Sequence, residues 1–355
     1  MSVENKPTNG SSSEQAPSKE QLVEVSRQLA QLCDFKPKES KSLEAVRAGL
    51  QDNQTALVQA LQAVYADAEP DVKKSLTTDP DIQLAFLLNI QKMVEHEKVR
   101  KDGSPYYTHP QSVSQRLAAF APADREALRD GMIGSLLHDY LEEGDGVSVE
   151  SIRGLEAAFP ENKNLAQELV LLTEPNFIEK GAKERPDLPQ AVDYDALKAE
   201  TGYGRKTLEI IAFALMMRES RVMQLVVPVD KLDNVGDCDV VVKKKIAKDI
   251  PDKNSPEFHE QAAKRTAETL TKFSLYARMC ELPEAAATRQ ALESAVKAKI
   301  SSLVVEFPEM ERLVEAKTKE FETLMQDPKI RQPLTKQLKD YFSGLGITFF
   351  EQRWD

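Results

Sequence analysis

The sequence has few cysteines and few glycines, and both shortages narrow the class of protein. Its three cysteines, Cys33, Cys238 and Cys280, stand far apart, and no two have the spacing of a zinc or disulfide framework. We expect them to be small core residues of a protein in a reducing compartment. Fourteen glycines and little clustering of β-branched or aromatic residues argue against a Rossmann fold, a barrel or a sandwich.

Long apolar runs and an excess of basic residues are also missing. No stretch approaches the roughly 20 apolar residues of a membrane span, and the chain does not start with the basic and apolar segments of a signal peptide. A net charge of −11 argues against general binding to nucleic acid or to an anionic membrane. We therefore expect a cytoplasmic protein. A secreted effector is the alternative, because some effectors begin with a similar polar leader.

Apolar residues recur at helical spacing along most of the chain, which predicts an all-α protein. Residues 1–18 are polar and proline-spotted and predict a disordered tail. Residues 19–78 and 284–355 predict helical flanks without a chemical motif, and residues 79–283 predict the functional domain. The flanks are expected to pack on that domain, to bind a partner protein or to self-associate.

Several helix boundaries can be predicted from single residues. Asp79 followed by Pro80 predicts the start of a helix that runs to about Val94, and Ser148 predicts the start of another. Pro228 is expected to kink or end a helical turn. The charged, proline-containing stretch Glu174–Tyr203 predicts either a lid over a substrate or a mobile insertion.

The stretch GMIGSLLHDYLEE at Gly131–Glu143 is the strongest chemical signal. It sets His138 and Asp139, both good metal ligands, at the end of an apolar helical run. We expect the helix to continue, so that Glu142 lies one turn below His138 and Glu143 lies one turn below Asp139. Such carboxylates are suited to proton transfer beside a metal. A buried structural histidine beside a solvated acidic helix end is the alternative interpretation.

Two further stretches, VRKDGSPYYTHP at Val99–Pro110 and PVDKLDN at Pro228–Asn234, extend this signal. Together with LLHDYLEE they resemble, in order, the hydrolase half of the RelA/SpoT family, whose HD-domain enzymes degrade the alarmone (p)ppGpp. The family's motifs run RKSGxPYxxHP, HDxxED and DRLHN. A weaker match, KRTAETLTKFSLYA at Lys264–Ala277, resembles the family's ARETLxxYAPLA helix. The resemblance spans about Ile82 to Glu281 and implies an HD-domain helical bundle with helical N- and C-terminal extensions.

The resemblance also implies a site and a reaction. The metal ligands would be His109, His138, Asp139 and Asp230. The catalytic residues would be Glu142 and Glu143, and the nucleotide contacts would be Arg100, Lys101, Lys231 and Asn234. Two imidazoles and two carboxylates suit Mn²⁺ best, with Fe²⁺ or Zn²⁺ as alternatives. The implied reaction removes the 3′-pyrophosphate of a guanosine nucleotide and yields GDP or GTP and pyrophosphate.

The chain departs from the family motifs at four positions without changing an implied metal ligand. Glu143 replaces an Asp, Lys231 an Arg, Asp233 a His and Asp102 a Ser. These changes can alter the substrate preference, so an HD phosphohydrolase of another nucleotide, such as NADPH, is one alternative. An inactive HD scaffold that binds a partner protein is another. The residues after Ala285 are too few for the family's synthetase domain.

Overall fold

The computed structural model describes residues 19–97, 99, 105–142, 147–173 and 192–347. These residues form 17 α-helices and a short 3₁₀ helix. The β-structure that they contain is one isolated antiparallel bridge, between Val99 and Pro105. The predicted all-α fold class is confirmed. Within the described ranges, no helix has the length and apolar content that crossing a membrane requires. The predicted disordered tail, residues 1–18, lies outside the described residues.

The helices follow one another with short connections. The first nine are α1 (Lys19–Leu32), α2 (Leu43–Asp52), α3 (Gln54–Val64), α4 (Pro70–Thr78), α5 (Pro80–Glu95), α6 (Thr108–Phe120), α7 (Arg125–Leu137), α8 (Val149–Ala158) and α9 (Lys163–Leu171). The other eight are α10 (Tyr194–Thr201), α11 (Arg205–Glu219), α12 (Arg221–Val235), α13 (Cys238–Ile246), α14 (Pro256–Arg278), α15 (Ala286–Leu303), α16 (Met310–Gln326) and α17 (Pro328–Gly344).

Helix starts that depend on a capping side chain are where the sequence predicts them. The Asp79 carboxylate accepts hydrogen bonds from the backbone N–H groups of Asp81 and Ile82, and Pro80 is the first residue of α5. Ser148 begins α8 with a reciprocal capping box. In both places the side chain satisfies N–H groups that have no partner within the helix.

The predicted continuation of a helix past His138 and part of the predicted loop are wrong, and the helix that contains Pro228 does not end there. Helix α7 stops at Leu137, and the next residues form tight turns in which the Tyr140 N–H bonds the Leu137 carbonyl, so the helix does not carry Glu142 below His138. Helix α12 continues through Pro228. The predicted irregular stretch contains helix α10, and its residues 174–191 lie outside the described residues.

The passage of α12 through Pro228 has a local explanation. Proline lacks an N–H, so the carbonyl of Gln224, four residues earlier, receives no hydrogen bond from it. The thiol of Cys280 donates to that carbonyl at 3.3 Å, and the Gln224 side chain accepts from the N–H groups of Glu281 and Leu282. The segment after α14 thus supplies a hydrogen-bond donor for the carbonyl that Pro228 leaves without one. All three cysteines are free and buried, as predicted.

Helix α12 runs through the middle of the molecule and belongs to both apolar cores. It packs against α6, α7, α9 and α15. Its residues from Val222 to Val229 lie in a core that extends from α1 to α17, whereas Val235 lies in a second core built with α13, α14, α15 and the start of α16. The five residues between Val229 and Val235 therefore lie at the boundary between the two cores.

The contact between α7 and α12 depends on Gly134. A Cβ at this position would lie 2.5 Å from Cγ1 of Val222 and 3.0 Å from Cγ2 of Val226. We expect Gly134→Ala to lower the free energy of unfolding by about 1–3 kcal/mol, the usual effect of overpacking. Gly154 in α8 is the matched control, because nothing lies within 4 Å of a Cβ there. Gly154→Ala should raise stability by about 0.5–1 kcal/mol. Urea denaturation of both variants measures the difference, and equal effects would contradict the close approach.

Candidate metal centre

Three helices bring all four predicted ligands together. His109 is the second residue of α6, His138 and Asp139 directly follow the last residue of α7, and Asp230 lies inside α12. All four side chains are buried. Because α6, α7 and α12 pack against one another, stretches that are far apart in the sequence meet at one point.

The donor atoms of these residues form a tight cluster. The Nε2 atoms of His109 and His138 are 3.4 Å apart. Oδ2 of Asp139 lies 3.3 Å from Nε2 of His138 and 3.9 Å from Nε2 of His109. One ligand atom from each of these three residues lies within 4.8 Å of the others. Oδ1 of Asp230 completes the cluster, 3.2 Å from Nε2 of His109 and 3.9 Å from Nε2 of His138.

Hydrogen bonds behind the two imidazoles fix which nitrogen faces the cluster. Nδ1 of His138 donates to the carbonyl of Ser135 at 2.8 Å, and Nδ1 of His109 donates to Oδ2 of Asp233 at 3.1 Å. A carbonyl and a carboxylate can only accept, so each Nδ1 carries a proton. In the neutral imidazoles the lone pairs of both Nε2 atoms then point into the cluster, which is the arrangement that metal ligation needs.

The cluster fits a divalent metal ion. Two nitrogens bound to one ion at about 2.0–2.1 Å in tetrahedral geometry would lie about 3.3–3.4 Å apart, and the two Nε2 atoms are 3.4 Å apart. Oδ2 of Asp139 is buried and has no hydrogen-bond partner. An unpartnered buried carboxylate oxygen is costly unless something positive binds it. His109, His138, Asp139 and Asp230 can therefore hold a metal.

The charges of the cluster are strongly coupled. Burial lowers the pKa of His109, but hydrogen bonds to Asp230 and Asp233 outweigh it and raise that pKa to about 9. Burial also opposes protonation of His138, and the carboxylate of Asp139 raises its pKa nonetheless. Burial would raise the pKa of Asp230, yet Lys231 and the imidazoles hold it well below the ordinary value. The carboxylates of the cluster thus favour protonation of both imidazoles in the metal-free protein.

We expect Mn²⁺ binding to strengthen with pH. Because the pKa of His109 is about 9 in the metal-free protein, an ion must displace a proton below that pH. The apparent dissociation constant should fall about tenfold per pH unit for each displaced proton, up to about pH 9. Titrations with Mn²⁺ at pH 6, 7 and 8 measure the slope. An affinity that does not change over this range would mean that no proton leaves the imidazoles.

Glu142 borders the same site although the helix does not carry it there. It lines a small recess with His138, Asp139 and Asp230, and apolar side chains close the other side. The recess holds about 40 Å³. A water molecule takes roughly 30 Å³ in the liquid, so this space suits a small ion or a water. A carboxylate beside such a recess can exchange protons with that water.

Lys231 and Asn234, predicted as nucleotide contacts, lie against the ligand Asp230. The Lys231 ammonium is 2.6 Å from Oδ2 of Asp230, and the Asn234 amide donates to Oδ1 at 3.0 Å. Both side chains therefore orient Asp230 and leave its Oδ1 facing the imidazoles. Their contact with a nucleotide stays a prediction. Arg100, Lys101, Asp102 and Glu143 lie outside the described residues, and their predicted roles stay predictions too.

Asp233 belongs to the site although no role was predicted for it. Besides the bond from His109, Asp233 accepts at Oδ1 from the Ser112 hydroxyl and pairs with Arg116, both at 3.3 Å. In the sequence, Asp233 differs from the residue that the family's DRLHN motif has at this position. The sequence does not indicate that its partner is His109. The other two histidines lie elsewhere. His96 lies at the end of α5, and His259 is an exposed residue of α14.

Comparison of the chain with protein-family models, with curated proteins and with solved structures found no match.

Proposed function

We propose that this protein is a metal-dependent HD-type phosphohydrolase that removes the 3′-pyrophosphate of (p)ppGpp. The observation that supports the proposal is the meeting of His109, His138, Asp139 and Asp230 within one buried cluster. These four residues come from the three stretches that resemble the hydrolase motifs. A chance match of three short motifs would not be expected to converge in space.

The reaction would break the bond between the ribose 3′ oxygen and the neighbouring phosphorus. The oxygen of a water molecule would join that phosphorus, one of its protons would leave, and the 3′ oxygen would take up a proton. A divalent ion, Mn²⁺ by the ligand set, would supply a more acidic water and a positive charge for the phosphoryl oxygens. Glu142, at the recess beside the ligands, would accept the proton from the water.

The recess sets a limit on where the substrate binds. About 40 Å³ accommodates the reacting centre but not a nucleotide, so the base and ribose would lie outside it. The protein's net charge of −11 would repel a polyanion unless local cations attract it. Arg100 and Lys101 in the first motif are the residues proposed for that role.

A second candidate is the same chemistry on another nucleotide, such as NADPH. Two positions of the third motif are the reason for considering it. Lys231 replaces the family's Arg and pairs with Asp230, and Asp233 replaces the family's His and bonds His109. Two side chains of the DRLHN motif thus differ from the family pattern, which weakens the argument for guanosine without affecting the metal cluster.

A nucleotide panel tests the proposal. Purified protein is stripped of metal, reloaded with Mn²⁺ and incubated with ppGpp, pppGpp, GTP and NADPH, and pyrophosphate, phosphate and nucleotide products are measured separately. We expect pyrophosphate with GDP or GTP from the two alarmones and no turnover in the stripped protein. Phosphate released from NADPH alone would select the second candidate. Mn²⁺ binding without turnover of any nucleotide would reject hydrolysis and favour the scaffold.

A further inference from the structure

Asp233 lies directly behind one of the candidate ligands. Its Oδ2 accepts the Nδ1–H of His109 at 3.1 Å, and its side chain is 10% exposed. It follows Asp230 by three residues on α12, so the two carboxylates project from neighbouring turns of one helix. One carboxylate faces Nε2 of His109 and the other faces Nδ1 of the same ring.

Helix α6 holds the other oxygen of Asp233. Ser112 Oγ donates to Oδ1 at 3.3 Å, and a guanidinium nitrogen of Arg116 lies 3.3 Å from the same atom. Ser112 lies about one turn after His109 on α6, and Arg116 lies about two turns after it. Ser112 and Arg116 thus contact Oδ1, and the imidazole of His109 donates to Oδ2.

We infer that Asp233 is a positioning residue for the metal centre, and the inference rests on the proposed metal-dependent function. Its carboxylate keeps the proton of His109 on Nδ1 and fixes the plane of the ring, so that the Nε2 lone pair points at Asp139 and Asp230. It also makes the imidazole a stronger donor to a cation. Removing the hydrogen-bond partner of a ligand histidine typically lowers metal affinity by about 10–100-fold.

A surface ion pair is the alternative role, and the two roles predict different results. Arg116 is 46% exposed, and an exposed ion pair contributes about 0–1 kcal/mol to stability. If Asp233 served only that pair, its removal would lower the melting temperature slightly and leave metal affinity unchanged. If it positions His109, metal affinity must fall.

The test compares Asp233→Asn and Asp233→Ala with the wild-type protein. Asn keeps an acceptor oxygen and the shape but loses the charge, so it guards against misfolding of the Ala variant. The matched control is Asp130→Asn, because Asp130 is as buried and accepts a hydrogen bond from Asn162 but touches no candidate ligand. The readouts are the dissociation constant for Mn²⁺ alone, the melting temperature and the ¹⁵N shifts of the histidine rings.

We expect the Ala variant to bind Mn²⁺ about 10–100-fold more weakly, the Asn variant to lie between it and wild type, and the control to match wild type. The ¹⁵N shifts should show loss of the Nδ1–H form of His109 in the Ala variant alone. Wild-type affinity in a folded Ala variant would overturn the inference, as would a wild-type protein that binds no Mn²⁺. A protein that shows the expected affinities but hydrolyses no nucleotide would refute the proposed reaction and leave this inference standing.

Discussion

Replacing His138 by alanine is expected to weaken Mn²⁺ binding by at least about 10²-fold. Structural zinc sites with four ligands have apparent binding free energies of about 10–16 kcal/mol, or roughly 2.5–4 kcal/mol for each ligand. Mn²⁺ binds such ligands more weakly than zinc, so we take the lower end of that range, which corresponds to about 10²-fold. The variant also removes the imidazole whose Nε2 lies 3.3 Å from Oδ2 of Asp139. Asp230→Ala should have a similar effect, because it removes a ligand from a different helix.

His259→Ala is the matched control, because His259 is an exposed histidine of α14. Metal content after dialysis and a direct Mn²⁺ titration measure the effect, and circular dichroism shows whether each variant is folded. The metal centre would be refuted if wild type, His138→Ala and Asp230→Ala all bound Mn²⁺ with the same weak affinity.

Replacing Glu142 by glutamine is expected to leave Mn²⁺ binding intact and to lower kcat by about 10²–10⁴-fold, the usual contribution of a positioned acid or base. Glutamine has nearly the same shape but cannot take a proton from water. Glu142 lines the recess beside His138, Asp139 and Asp230 and is not one of the clustered ligands. The reaction measured is pyrophosphate release from ppGpp at saturating substrate.

Glu161→Gln is the control for this variant, because Glu161 is an exposed glutamate in a turn and does not line the recess. Unchanged turnover in Glu142→Gln would remove Glu142 from the reaction. Glu143 stays a separate prediction: Glu143→Asp, which restores the family's residue, should retain or raise alarmone hydrolysis, and Glu143→Ala should lower it without loss of metal.

The sequence predicted best those features that depend on neighbouring residues. The start of α5 follows from Asp79 and Pro80, and the start of α8 follows from Ser148, because a cap and its N–H partners lie within one turn. The four candidate ligands were named from the sequence because they stand in motifs that resemble a known family, and their role as ligands stays a prediction. The packing of α6, α7 and α12, which the sequence does not reveal, brings these four side chains together.

Two features that the sequence did not predict depend on partners that are distant in the sequence. Pro228 would disrupt an isolated helix, but the thiol of Cys280 donates to the carbonyl that the proline leaves free. The role of Asp233 depends on His109, 124 positions earlier. The helix end at Leu137 was missed because the residues after it, HDYLEE, suit a helix as well as a turn. The passage of α12 through Pro228 and the role of Asp233 are decided by tertiary contacts rather than by local preference.

The position of Asp230 at the boundary between the two apolar cores links metal binding to the cooperativity of unfolding. Residues on either side of it, Val229 and Val235, are buried in different cores. Opening of either core would displace Asp230 from the imidazoles and release a bound ion. An ion at 100 times its dissociation constant would therefore stabilise both cores together by about 2.7 kcal/mol. Amides in α12 and in the helices of both cores should then gain the same protection from hydrogen exchange when Mn²⁺ is added.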